Sequence, residues 1–336
     1  MPEKVKFEIS TWTVVKVILV ILGFYFLFLV RDIVALFFIV LILTATFLPV
    51  VNTWQKYVGR VVAIIGLFLI LAAVIFGVVY IIIPPLVAQT SLLAQGIPEY
   101  LNHLNFVSLK SHIPNIQSTL DNLASNLGTV TSNLFSFTAG VISVIFAVLM
   151  VLILTLYFLI SEQDIKKFVS SLFAENRRDD AIFVINKIMA KVGSWFRGQM
   201  LLGLTVFVLD FIGLSILQVP YALILAVISG LLELIPTIGP IVAGTTSALI
   251  ALTISPWMAL FVIILYLIVS LLENAFLIPK IMQKAIGISP IIILLALLVG
   301  VKLMGIVGAV LSIPLAASLS VIVIEWPTIT KIFSKE

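Results

Sequence analysis

An all-α, polytopic membrane protein is the fold class that this 336-residue sequence predicts, and three observations predict it. Hydrophobic residues make up 62% of the chain and charged residues 10%. Soluble domains carry roughly 45–50% and about 25%, so too few charges exist here to coat the chain in water. Mean hydropathy is +1.31. The apolar residues fall in runs near 20 long, the length that crosses a ~30 Å hydrocarbon core as a helix. We expect about seven to eight membrane segments, including a re-entrant or broken-helix hairpin. Both termini are expected in the cytoplasm, and amphipathic helices outside the bilayer.

The first span is Trp12 to Val30, ending in Val30-Arg31-Asp32 with no small-residue cleavage site, so it reads as uncleaved. Ile33 to Val51 and Val61 to Ile83 follow, closing an N-terminal unit of three membrane helices over 1–83. Segment 84–139 is an amphipathic insertion, and 140–160 a fourth span. Segment 161–199 is basic and amphipathic, and 200–325 forms a core with broken helices before a tail at 326–336. Within that core, 220–235 and 240–255 are too short to cross comfortably, at ~24 Å of helix each. Segments 288–301 and 304–325 read as a last hairpin.

Lysine and arginine favour the cytoplasmic side. Seven of the 19 fall in 161–199, and only Lys110 in 84–139. The first segment is therefore assigned to the inside and the second to the outside.

The outer insertion carries a seam, Ile113, Ile116, Leu120, Leu123, Leu127, Val130 and Leu134, spaced alternately by three and four. That is the repeat of helix packed on helix. The seam serves either a helix lying on the membrane or the protein itself, or contact with a sister subunit in a homo-oligomer. In 161–199, Ile182, Ile185, Met189, Val192 and Phe196 oppose Lys187, Lys191 and Arg197, a pattern that lies along an anionic lipid surface. Acids nearly balance bases there, so nucleic acid is not an expected partner.

Several chemistries lack their residues. There is no Cys and no P-loop string, and the two histidines do not share a helical face. No H-E-x-x-H or G-x-S-x-G string occurs either. Neither a cofactor, a metal nor enzymatic catalysis is expected. What remains is acid in apolar sequence: Asp210, Glu233 and Glu273, each costing at least ~2.5–3.5 kcal/mol if charged at the centre of a span. Lys302 is a possible ion-pair partner, and Glu325, beside Trp326-Pro327, reads as a solvated anchor. Glu233 lies three residues before Pro236, and Glu273-Asn274 just ahead of Pro279, where helices are expected to break. Freed carbonyls and helix ends at such breaks hold ions or polar solutes in transporters. Leu231-Leu-Glu-Leu-Ile-Pro236 and Leu271-Leu-Glu-Asn-Ala-Phe-Leu-Ile-Pro279 also echo each other.

These strings carry a resemblance. Glu233-Leu-Ile-Pro236-Thr-Ile-Gly239-Pro240 resembles the acid-x-x-Pro-x-x-Gly-Pro signature of the autoinducer-2 exporter family. Glu273-Asn274 with Pro279-Lys280 is similar to that family's second string. Gly287-Ile-Ser-Pro290 with Gly300, Gly305, Gly308 and Pro314 is similar to its closing hairpin, except that Ser289 stands where members often have His. The resemblance implies a multi-pass transporter of the inner membrane, homo-oligomeric, with hinges at those Gly and Pro positions. It leaves the cargo open. The leading expectation is secondary export of a small polar solute, an autoinducer-2-like signal or related metabolite. A sodium or lithium/proton antiporter is the alternative within transport, and a membrane scaffold or receptor the alternative of another class. Glu233, Glu273, Asn274 and Asp210 are the candidate coupling residues.

Overall fold

A computed structural model of the protein describes residues 11–77, 80, 134–235, 238–252, 254–282 and 289–333. Among these every regular element is helical. The seam residues Ile113 to Val130, and Pro236, lie outside the described residues.

The expected early spans are α1 (Thr11–Leu29), α2 (Arg31–Val58) and α3 (Arg60–Gly77). The fourth is α4 (Leu134–Ile160), opened by Leu134, and it turns through 69° into α5 (Glu162–Ser171). Next comes α6 (Arg178–Ile216), 39 residues and thus about 58 Å long. It runs unbroken through the boundary drawn at 199/200, because its apolar positions keep one helical period across it. Its exit is tight, with Gln218 and Tyr221 both at positive φ (54° and 66°).

The short segments form as read. Helices α7 (Ala222–Leu232) and α8 (Ile238–Leu252) have 11 and 15 residues and pack against each other. At about 16 and 22 Å neither crosses a bilayer core alone. Ser255 then caps α9 (Pro256–Leu272), its hydroxyl accepting from the Met258 N–H at 3.1 Å with Pro256 in the first turn. A π-turn (Glu273–Leu277) joins α9 to α10 (Ile278–Met282). So the chain does not break before Pro279: it widens by one residue and carries on, with Ile278 N–H donating five residues back to the Glu273 carbonyl.

Helix α11 (Pro290–Ile324) reverses at Met304–Gly305, where Gly305 adopts φ +59° and ψ −135°. Only glycine takes that conformation at little cost. A Cβ on Gly300 would collide with the Gly308 carbonyl, and the reverse holds too. Eight residues of straight helix span about 12 Å, so this contact exists only because the two arms fold back together. Pro290 opens the first arm and Pro314 is buried in the second. Helix α12 (Trp326–Phe333) follows.

Five helical stretches are long and apolar enough to cross a membrane, six if the bent α4–α5 pair counts as one. The longest-range packing is centred on α6, which meets α2, α7, α9 and α11. Every described side chain of α1 is exposed. Large apolar residues such as Trp257, 70% exposed, and Ile306, 76% exposed, also cover the outside. Such a surface is at home against lipid.

The basic residues of α6 find partners within the protein. Arg197 donates to the carbonyls of Ala45 (3.3 Å) and Thr46 (3.0 Å). The Ala45 carbonyl would normally pair with the N–H of residue 49, but Pro49 has none. Arg197 therefore fills the vacancy that Pro49 makes. Lys191 bonds the Ser320 hydroxyl at 2.7 Å, and Lys187 pairs with Glu325. Glu325 is accordingly an ion-pair partner and not a solvated anchor: α12 packs Ile332 onto Ala181 and Val184 and leaves its carboxyl only 13% exposed.

Candidate functional site

The sequence periodicity of three helices determines what their shared interior contains. On α6, Gln199, Gly203, Val206 and Asp210 are spaced by four, three and four, so they form one stripe, and all are buried. On α9, Val262, Tyr266, Val269 and Glu273 repeat the same spacing and the same burial. On α7 the stripe is Ala226, Ser229 and Glu233. The three stripes face one another.

Glycine permits the approach. A Cβ on Gly203 would stand 2.6 Å from the Gly230 carbonyl, and one on Gly230 would stand 2.7 Å from the Gly203 carbonyl. No side chain fits on either residue, so α6 and α7 meet backbone to backbone. That contact brings Glu233 against α6, its Cβ 3.7 Å from the position a Gly203 Cβ would take. Gly239, at the start of α8, lies against the carbonyl of Leu232 and the amide of Glu233 for the same reason. Pro240 follows it and lines the outer side of α8.

Asp210 and Glu233 are fully buried, and Glu273 is 5% exposed. The three carboxyls are close enough to act on one another electrostatically. The Ser229 hydroxyl donates to Asp210 Oδ2, and the Gln199 amide donates to the main-chain carbonyl of Glu233. Asp210 Oδ1 and both carboxyl oxygens of Glu233 make no conventional hydrogen bond. Among the described residues no lysine or arginine acts on the cluster. Lys302 is exposed near the tip of the α11 hairpin and supplies no counter-charge.

The structure thus brings together Asp210, Glu233 and Glu273. It leaves out Asn274, which is exposed and donates to the Ser270 carbonyl at 2.8 Å. Pro279 and α10 lie beside the cluster, where Met282 packs with Trp195, Leu202 and Ile313. Ile235, two residues past Glu233, is wedged against Leu297 and Ala309 of the α11 hairpin. The two hairpins therefore meet at the helix break. Sequence reading missed Gln199, Ser229 and Tyr266. The signal was present in the stripes at 199–210 and 262–273, but a polar residue in an apolar run draws less notice than a carboxylate.

Among the described residues no three His, Cys, Asp or Glu side chains form a metal-chelating group. The arrangement instead concentrates acid in a sealed, low-dielectric interior. Three like charges there repel strongly and pay for desolvation besides. Carboxyls so placed are tolerated by accepting hydrogen bonds, by holding or sharing protons, or by meeting a cation.

Helical throughout its described residues, apolar on its outer surface and carrying three buried acids on three of its helical segments, the molecule is a multi-pass membrane protein of the transporter class. Residues 15–328 match the AI-2E family transporter family, and the chain belongs to that family. It is 33% identical over 172 residues to "Putative transport protein YrrI" of Bacillus subtilis, a match covering 51% of this chain and 49% of the relative. It is 27% identical over 312 residues to "Putative transport protein YtvI" of the same organism, covering 82% of each. A third relative, the "Sodium-lithium/proton antiporter" of Halobacillus andaensis, is 27% identical over 159 residues, 46% of this chain and 44% of its own. The chain thus spans about half the length of several relatives it matches.

Proposed function

We propose that the protein is a proton-coupled secondary transporter of the cytoplasmic membrane, and that its cargo is a monovalent cation of the sodium or lithium kind. One observation carries this reading: three buried carboxyls with no basic partner among the described residues, two of them at helix irregularities and those two, Glu233 and Glu273, close enough to share a proton. A proton and a small cation are the occupants that such oxygens accept, and competition between them is antiport. Full burial of Glu233 also favours an ion-sized cargo. The name of the Halobacillus relative agrees with this. Glu233 and Glu273 would alternate between the two occupants, with Asp210 adjusting their charge. The Gly and Pro positions around both hairpins would permit alternating access. A homo-oligomer joined through the outer seam belongs to the same proposal.

Export of a small polar organic solute is the second reading. It is favoured by the meeting of two hairpins at Ile235. If they part, the cluster opens to a larger cargo.

Everted vesicles carrying a preformed pH gradient test the first reading. Adding sodium or lithium should collapse the gradient with wild-type protein and not with Glu233→Gln or Glu273→Gln at equal expression. No response to sodium, lithium or potassium would overturn the cation reading, and efflux of labelled autoinducer would then test the second.

A further inference from the structure

One stretch of α6, from Gly198 to Gly203, is the floor on which both helix irregularities rest. A Cβ on Gly198 would stand 3.0 Å from Met282 Sδ of α10, the helix that follows Glu273 and its π-turn. A Cβ on Gly203 would meet the Gly230 carbonyl near the end of α7, three residues ahead of Glu233. Between these contacts α6 carries Gln199, Met200, Leu201 and Leu202, and Gln199 is the polar residue among them. It is only 2% exposed. A buried amide costs free energy unless it is bonded, so its partner shows its use.

The carbonyls at the end of α7 are served unevenly. The N–H groups of Glu233, Leu234 and Ile235 donate to the carbonyls of Ser229, Leu231 and Leu232, and the Gly239 N–H donates to that of Ile235. Among the described residues no main-chain N–H serves the Glu233 carbonyl. The Gln199 amide serves it instead, from another helix. The carboxyl of the same residue has no such hold, because among the described residues no hydroxyl, amide or base donates to it. Glu233 is therefore located from its main chain, by Gln199 at its carbonyl and by the Gly203–Gly230 contact behind it.

Capping an orphan carbonyl would account for a bond at a helix end. It does not account for the address: the cap comes from the helix that carries Asp210 and lands on the residue that carries a second fully buried acid.

We propose that Gln199 is a positioning residue for cation binding. Its amide ties the broken end of α7 to α6 and so holds the Glu233 carboxyl where it can share an occupant with Glu273 and Asp210. The proposal rests on the cation reading above. A small cation binds where its oxygen ligands keep a fixed spacing, so a loosened Glu233 loses affinity first.

The test uses the same vesicles with two variants at equal expression. Gln199→Met keeps the length of the side chain and removes the donor. Gln199→Asn keeps an amide that is one methylene too short to reach. Both should raise the half-saturating sodium or lithium concentration at least about tenfold, and leave the maximal rate of proton movement per folded molecule within about twofold. Half-saturation at the wild-type concentration in either variant overturns the proposal, whatever happens to the rate.

Thermal melts in detergent give a reading independent of flux. A cation that binds only the folded protein raises its midpoint, and that rise, at one cation concentration, should shrink in Gln199→Met. A purely structural amide would lower the midpoint itself and leave the cation-induced rise intact, which overturns the proposal. Failure of both variants to fold would make Gln199 a strut and overturns it too. A wild type whose midpoint and proton movement ignore sodium and lithium defeats the cation reading itself. A responsive wild type with an equally responsive Gln199→Met defeats the positioning role alone.

Discussion

The two halves of α6 both carry charge to other helices, but on different terms: exposed or half-buried in the first half, fully buried in the second. In the first half, Lys187 meets Glu325, Lys191 meets Ser320, and Arg197 meets the two carbonyls beside the Pro49 vacancy. In the second half, Asp210 faces Glu233 and Glu273, three acids with no base among the described residues. Partnered charges tie helices together. Acids left to one another resist their own burial, so what holds them there is the packing of glycines and apolar residues around them. A fold that retains such a cluster does so at a cost in stability, which is why we propose a site there rather than a strut.

The comparison can be broken from either side. The largest effect is expected at Glu233: Glu233→Gln should cut cation-driven proton movement by roughly two orders of magnitude or more. Its thermal stability in detergent should stay equal to wild type or rise, since the change removes an uncompensated acid. A loss of stability parallel to the loss of transport would put Glu233 among the struts. Next, Gly230→Leu should destabilise by about 3 kcal/mol, because a side chain there must displace the α6 backbone at Gly203. Thermal melts of the detergent-solubilised protein would measure it.

Arg197→Met should cost about 2 kcal/mol by leaving the Ala45 carbonyl unpartnered again, with proton coupling per folded molecule unchanged. If coupling falls with it, the two halves of α6 do not work separately.

The smallest effect is a pH dependence at the elbow between α4 and α5. Burial alone would raise the Glu162 carboxyl, but Lys166 and Arg60, the latter 2.8 Å away, outweigh it and hold the group below its ordinary range. Its stabilising contribution is therefore complete above that range and fades as pH falls through the lowered value. Melts at descending pH should lose a small increment in wild type that Glu162→Gln does not show.

Much of this was legible in the sequence, for physical reasons. Apolar runs of fixed length announce helices, and the α7–α8 pair is readable because neither run is long enough to cross. The acids are legible because charge is rare in such runs. Legibility ended where a helix stayed intact despite a proline. Pro279 predicted a break, and the chain instead inserted a π-turn, which keeps the helix direction and absorbs the missing N–H. Nor does composition disclose which charges find partners. The basic face of α6 has the pattern of a helix on lipid, but Pro49 and Glu325, both distant in sequence, determine where its charges go. The same holds for Asn274, an equal candidate beside Glu273 until the step of one residue around the helix pointed it outward.

The central claim is that the acid cluster trades protons for a cation. Purified protein in weakly buffered detergent, titrated with sodium or lithium against a pH indicator, tests this without any gradient. The account predicts proton release that saturates with cation concentration in the wild type and is absent in Glu233→Gln of equal thermal stability. Release undiminished in that variant, or none from the wild type with either cation, would contradict it.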